Sequence, residues 1–521
     1  MLLSVCRVPN LQADPFVVIV LLALADDTRS ALAKAGYSVL QLDSHTYYGD
    51  EWASLTVDEL AERSPSGPGN VPEDLMRKSN RFSLSLRPCL LRAIGPAIDV
   101  LVRSKVASYL SFGLVAGTAI CRPEGSNVHV DRVPSSKSDV FNDPSLSLVE
   151  KRRLTKLLLF AAGDEPLGQS AALSDDSTLL QYLSQHYSLT EKVIPALAYA
   201  LCLASTPHGK AISYGPSPYL VGHYGGAGDL VGGFSRICAV WGGGQILGRE
   251  IDGIVFDAER GRPVPQAQGL FVPPESLPSK PPPVTSVTES ALGIPVVIEP
   301  GQGPTLLTAD WIGVASSHAS RLLGSRVQRG QARAIRAVAV LSDAIPFPSP
   351  HDTPEKDADL PDSHMFVFAP GAFSDELGTV TALQVGPGTF ASPDGYHVLY
   401  LHAPIDATDF DVADRVENLL SPYLFALLSL SHTTGDGVNP LKWVVYEAKE
   451  AAPTIDSSGL PQNLVVIPPI EESLTANLCT ALDDAVEAAE DLFWRIVGDT
   501  GRREGVQFFA PEPHKDGDDD D

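Results

Sequence analysis

Phe141 and Arg152 stand eleven residues apart in DVFNDPSLSLVEKRRLTK (139–156), an aromatic ahead of a predicted helix and a cation on it. That pair is not equipped for bond-making. An aromatic and an arginine flanked by leucine are the composition of an interface anchor. Asp143-Pro144 reads as the N-cap and first helical position. At 100° per residue Leu146, Val149, Leu154, Leu157 and Phe160 then form one apolar stripe. Arg153 falls in the same stripe, where an extended side chain can snorkel out. On the opposite side Leu148, Arg152, Thr155 and Leu159 make a second line of mixed character. Two readings stand. Leu148 and Leu159 pack against another helix while Phe141 staples the cap, or these residues form a docking surface. A further helical segment, LTEKVIPALAYALCLAS, repeats Ala196, Ala200 and Ala204 at four-residue spacing. Such a stripe lets helices close on one another or leaves an apolar cleft.

Other chemistries find little support. The six cysteines, Cys6, Cys89, Cys121, Cys202, Cys238 and Cys479, include no C-x-x-C pair and no histidine at ligand spacing, so no metal is expected. Sparse cysteines fit a reducing cytosol. The run GGAGDLVGG (225–233) has the spacing of no phosphate loop and reads as tight turns.

The elements that must carry these residues begin at Phe16–Asp43, which reads strand, helix, strand: an apolar β-branched run, Asp26 and Asp27 as helix starts, then Gly36 as a stop. This is the entry unit of a doubly wound α/β domain. Its first turn is VLLALADD, and Gly36 is the first glycine of the chain. Leucine and alanine there keep the backbone from a pyrophosphate, so neither flavin nor nicotinamide is expected.

Residues 1–130 form the first part of the α/β domain and 138–212 a helical domain. Residues 213–500 return to the α/β domain, with a proline-rich extended insertion or linker at 263–304. A second irregular loop covers 346–362, a helix is predicted over Leu482–Gly498, and 501–521 reads as an acidic disordered tail. The net charge of -26 argues against nucleic acid and anionic membrane as primary partners. It suits basic protein partners or solubility alone. Phe16–Ala25, the longest early apolar run, is about half the ~20 residues of a membrane span. It follows Asp14-Pro15 rather than a basic stretch, and the chain ends in DGDDDD without a prenylation box. A soluble protein is the expectation.

Three segments resemble the family of Rab escort proteins and Rab GDP-dissociation inhibitors. They are LDSHTYYGDEWASL (42–55), RFSLSLRPCLLRAIGPAIDVLVRSKVASYLSF (81–112) and SYGPSPYLVGHYGGAGDLVGGFSRICAVWGGGQIL (213–247). The resemblance implies an FAD/NAD(P)-binding-like, GDI-like large α/β domain with a smaller all-helical second domain, and no catalysis. It implies a platform gripping a GDP-bound Rab through Tyr48, Asp229 where the family has Glu, Arg236, and Ile246 in place of a Met. The escort branch carries an aromatic and an arginine at the separation of Phe141 and Arg152, which dock on the heterodimeric Rab geranylgeranyltransferase. Leu148 and Leu159 would flank them. A cleft along Ala196, Ala200 and Ala204 would shelter the cargo's geranylgeranyl lipid during delivery from cytosol to membrane. Two alternatives carry other functions: a recycling Rab GDP-dissociation inhibitor, and an FAD-dependent amine oxidase on the same fold.

Overall fold

The computed structural model describes residues 17–21, 26–49, 52–62, 71–125, 127–134, 137–143, 146–161, 179–191, 193–204, 219–249, 254–256, 292–296, 305–315, 319, 322–323, 327–328, 334–348, 362–405, 415–430, 442–448, 454–455, 463–467, 478 and 481–510. The entry unit forms as its pattern dictates: β1 (Val17–Leu21), α1 (Asp26–Lys34) and β2 (Ser38–Leu42). Further along the chain come α2 (Pro96–Ser104), α3 (Lys137–Asn142), α4 (Leu148–Ala161) and α5 (Ala227–Val240). They are followed by β3 (Gly244–Ile246), β4 (Trp311–Ala315), β5 (Leu464–Ile467) and α6 (Ala481–Arg503). Among the described residues one sheet has the order β3-β2-β1-β4-β5, all parallel. β1 is central, paired on its two edges with β2 and β4, and its unbroken apolar run is the pattern of an inner strand in an all-parallel sheet. Helix α1 packs between α5 and α6. Its polar residues are used internally: Thr28 Oγ1 donates to the Ala489 carbonyl (2.8 Å) and Ser30 Oγ to that of Phe234 (2.7 Å).

A second sheet runs Lys442–Ala448, Ala334–Leu341, His397–Pro404, Val380–Val385, Ser363–Phe368, Thr118–Glu124, Asn127–Arg132, mostly antiparallel. Alternation along Ala334–Leu341 sends Val338 and Val340 to one core and Ala337, Ala339 and Leu341 to another. The helical segments between 137 and 201 pack on the first face, through Leu154, Leu183 and Leu197. The helix Val416–Leu428 covers the other face.

Several sequence expectations change. Helix α4 starts not at Asp143-Pro144 but at Ser147, where a capping box forms: Ser147 Oγ donates to Glu150 Oε2 (2.8 Å), which also accepts the Ser147 N–H (3.0 Å). Phe141 lies within its own short helix, α3, rather than outside a cap. Val149 leaves the predicted apolar stripe for solvent, while Leu154 is buried and Leu146 and Leu157 are packed against it. Arg153 is exposed and donates to the Ser188 carbonyl (2.8 Å), which orients the turn after the next helix. Within the proline-rich stretch, Leu292–Val296 is a strand between Val255–Phe256 and Thr305–Ala309; residues 257–291 lie outside the described set. The predicted tail boundary at 501 falls inside structure. Helix α6 runs to Arg503 through a kink at Gly498 (φ 65°), and Phe508 and Phe509 are buried beside Phe493. Of the predicted tail, residues 511–521 lie outside the described set.

Candidate functional site: a helix-borne platform and an exposed apolar face

Helix α5 separates its residues by environment. Leu230, Val231, Phe234, Ile237 and Cys238 are buried, whereas Asp229, Gly232, Arg236, Ala239 and Val240 lie on the open side. The open positions recur at three to four residues, one continuous stripe. Burial around Asp229 pushes its carboxyl above the usual carboxylate range. A Cβ added at Gly232 would meet nothing within 4 Å, so the fold itself does not require glycine there.

The chain leaves α5 through a tight turn in which Gly243 N–H donates to the Cys238 carbonyl (2.8 Å), and a Cβ at Gly243 would sit 2.2 Å from Cys238 Sγ. This turn delivers β3 alongside β2, with Ile246 opposite Leu42. The ends of the two strands are then laced together. Asp43 N–H donates to the Ile246 carbonyl (3.0 Å), and Gly248 N–H to that of His45 (2.7 Å). Asp43 is fully buried and its Oδ1 accepts the His45 N–H (2.8 Å), fixing the turn that carries Tyr48. Gly49 closes that turn at φ 102°, and Tyr48 stays 42% exposed. Tyr48, Asp229, Arg236 and Ile246 thus sit on adjoining pieces of one β2–α5–β3 unit. Two aromatics that sequence reasoning passed over lie beside α5: Tyr109 beneath Arg236, and Trp241 at the end of the helix, both partly exposed. Neither had a periodic signal, because Tyr109 lies in a short 3-10 turn (Val106–Tyr109) and Trp241 in the helix cap.

The second surface lies on α3 and α4. Phe141 is 62% exposed, Leu148 85% and Val149 57%, and Arg152 is also exposed. Lys151 Nζ donates to the Phe141 carbonyl (2.8 Å) and ties α3 to α4 one residue before Arg152. The alternative in which Phe141 staples a cap and Leu148 and Leu159 pack against another helix fails at Phe141 and Leu148, which are exposed, while Leu159 is half-buried. Glu150 Oε1 accepts the Thr190 hydroxyl (2.7 Å), anchoring the same helix to the turn that follows the segment Leu179–Gln185.

The alanine stripe behaves differently. Ala196 and Ala200 lie on a π-helical stretch, Ala196–Leu201, and Ala204 lies past its end, so the four-residue repeat does not define one helix face. Ala200 and Ala204 are buried in the core, and the Ala204 carbonyl accepts the Thr379 hydroxyl (2.7 Å). Close packing, rather than an open cleft, is what the stripe achieves here.

A dinucleotide, which this class of fold commonly holds, does not fit the residues present. The first turn is LALA at 22–25, outside the described set and without glycine. The acid at the end of β2, Asp43, turns its Oδ1 inward to His45. Arg29, in the first helix, is fully buried and donates to Ser235 Oγ (2.9 Å). Burial pushes the Cys89 and Cys202 thiols up to about 12, which disfavours thiolate chemistry at those two residues. No group of metal-ligating side chains occurs among the described residues.

Comparison with known proteins accords with this geometry. Residues 17–264 match the family model described as GDP dissociation inhibitor. The chain is 33% identical over 275 residues to a Drosophila melanogaster protein named Rab proteins geranylgeranyltransferase component A, a match covering 44% of this chain and 53% of that one. A Candida albicans protein of the same name is 29% identical over 241 residues, covering 41% and 37%. The matches therefore span about half or less of the length of these relatives. Among solved structures, a Rab GDI from Plasmodium falciparum has a TM-score of 0.62 at 18% identity, covering 93% of this chain and 98% of that one. An oxidoreductase from Methanosarcina mazei has a TM-score of 0.53 at 12% identity, covering 91% and 99%. The latter two likenesses establish the fold, an α/β architecture of the GDI and FAD-binding oxidoreductase type. Over residues 17–264 the chain is similar to the GDP dissociation inhibitor family.

Proposed function

We propose that this protein is a Rab escort protein: a non-catalytic accessory chain that binds unprenylated, GDP-bound Rab and presents it to Rab geranylgeranyltransferase. The observation that carries the reading is the exposed Phe141–Leu148–Val149 face with Arg152 beside it, an apolar surface that a monomer gains nothing by leaving in water. The platform of Tyr48, Asp229, Arg236 and Ile246 grips the GTPase, leaving its C-terminal tail free. The transferase supplies the prenyl-transfer chemistry, and this chain supplies proximity by holding both partners at once. After transfer, the geranylgeranyl chain needs cover from water. At about 0.8 kcal/mol per carbon, twenty carbons carry up to about 16 kcal/mol of burial free energy, which explains why a lipidated GTPase needs a carrier in the cytosol. The region of Ala196, Ala200 and Ala204 is filled by its neighbours here, so lipid entry there requires the helices to part.

Reconstitution tests the reading. Rab-GDP, geranylgeranyl diphosphate and transferase are combined with and without this chain, and lipid incorporation is followed. Stimulated transfer is the expected result. Binding of prenylated Rab with no stimulation would replace the escort reading by that of a recycling inhibitor.

A further inference from the structure

Arg236 is exposed, yet it is not loose: its guanidinium carbon lies 4.4 Å from the centroid of the Tyr109 ring. The position of that ring is set by packing elsewhere. Lys105 adopts a left-handed conformation (φ 63°) and ends α2, and the chain then makes the 3-10 turn Val106–Tyr109. Val106 is fully buried against α5, at Gly233. A Cβ at Gly233 would come 2.7 Å from Val106 Cγ1 and 3.6 Å from Leu110 Cδ2, so glycine is what allows this turn to lie directly on the helix. Gly233 and Arg236 are three residues apart, neighbours along α5. The close approach at Gly233 therefore places the Tyr109 ring under the arginine.

We propose that Tyr109 is a positioning residue for Arg236 in partner recognition, holding the guanidinium on its ring so that the cation is ordered before the partner arrives. The proposal rests on the platform reading of α5 given above. Arginine loses more rotamer freedom on binding than most side chains, and a planar guanidinium stacked on an aromatic face gives up part of that freedom in the free protein. Preorganisation of this kind improves affinity without adding a contact to the partner. Tyr109 is 43% exposed and is not part of a core, so replacing it spares the fold.

The test has two arms. In the isolated chain, the arginine Nε–H resonance of Arg236, assigned by its loss in Arg236→Lys, is expected upfield from ring current in the native protein and in Tyr109→Phe, and at its ordinary position in Tyr109→Leu. In titrations with a GDP-loaded Rab, Tyr109→Leu is expected to weaken binding about fivefold and Tyr109→Phe to restore it. With Arg236→Ala already made, Tyr109→Leu is expected to add no further loss. Native-like affinity of Tyr109→Leu, or an additive loss in the double variant, would overturn the positioning role alone. Absence of Rab binding by the native chain would instead remove the platform reading, and this proposal with it.

Discussion

Asp229 and Arg236 stand two helical turns apart on the open stripe of α5, with Gly232 on the same stripe between them. Opposite charges are thereby offered at a fixed spacing of about 10 Å along the axis, separated by bare backbone. Glycine within a helix costs about 1 kcal/mol relative to alanine. The space around Gly232 is empty, so internal packing does not account for that cost. Gly232→Ala is expected to stabilise the fold by up to about 1 kcal/mol in urea denaturation. The new methyl group would weaken GTPase binding about tenfold by standing in the gap. Unchanged binding would show that the partner does not approach the backbone here.

Asp229 sets a pH dependence with a definite sign. Its folded-state pKa is raised by burial, so the stability it contributes is full below the ordinary carboxylate pKa and is lost as pH rises through the raised value. At neutral pH the charged form is a cost. Asp229→Asn is accordingly expected to raise Tm at pH 7, with the difference from the native chain shrinking on acidification, while GTPase binding falls. A Tm lowered at pH 7 would contradict the burial argument.

The exposed face on α3 and α4 predicts a separation of functions. Phe141→Ala and Val149→Asp are expected to weaken transferase binding by tenfold or more, since truncating a central aromatic anchor costs upwards of about 1.4 kcal/mol. Both leave Tm and GTPase affinity near native values, because neither side chain is buried. Calorimetry with each partner in turn reads the two effects independently.

That face also depends on the helix start beneath it. Ser147→Ala removes a hydroxyl that donates to Glu150 Oε2 and accepts the Glu150 N–H (3.3 Å). The expected loss is about 1 kcal/mol of stability, measured by chemical denaturation. Hydrogen exchange should rise in residues 148–152 first, where the freed helix end frays.

How much of this was legible beforehand differs between elements. Strand β1, helix α1 and strand β2 follow from an unbroken apolar run and clear stop signals, and they occur in the predicted order, with α1 starting at Asp26 and ending before Gly36. The start of α4 was misplaced because Asp143-Pro144 and Ser147-x-x-Glu150 are both valid helix openings. Only the packing of Leu154 and the bond from Thr190 to Glu150 favour the second. Val149 kept helical spacing yet faces water, since spacing fixes an angle around the axis and not which neighbours fill it. The central strands of the second sheet are buried along nearly their whole length and left little alternation to read.

The sequence by itself determined the residue types of the proposed platform, the glycine-free first turn, and the local conformations of β1–α1–β2, all of which depend on neighbours close along the chain. Tertiary structure alone decided which apolar residues of α4 stay outside, that Ala200 and Ala204 are packed rather than open, and that Tyr109 lies under Arg236. Those outcomes depend on contacts between segments distant along the chain, 40 residues apart for Thr190 and Glu150 and 175 for Thr379 and Ala204. A stripe of side chains states what it could bury, and only the partner surface that arrives settles whether it does.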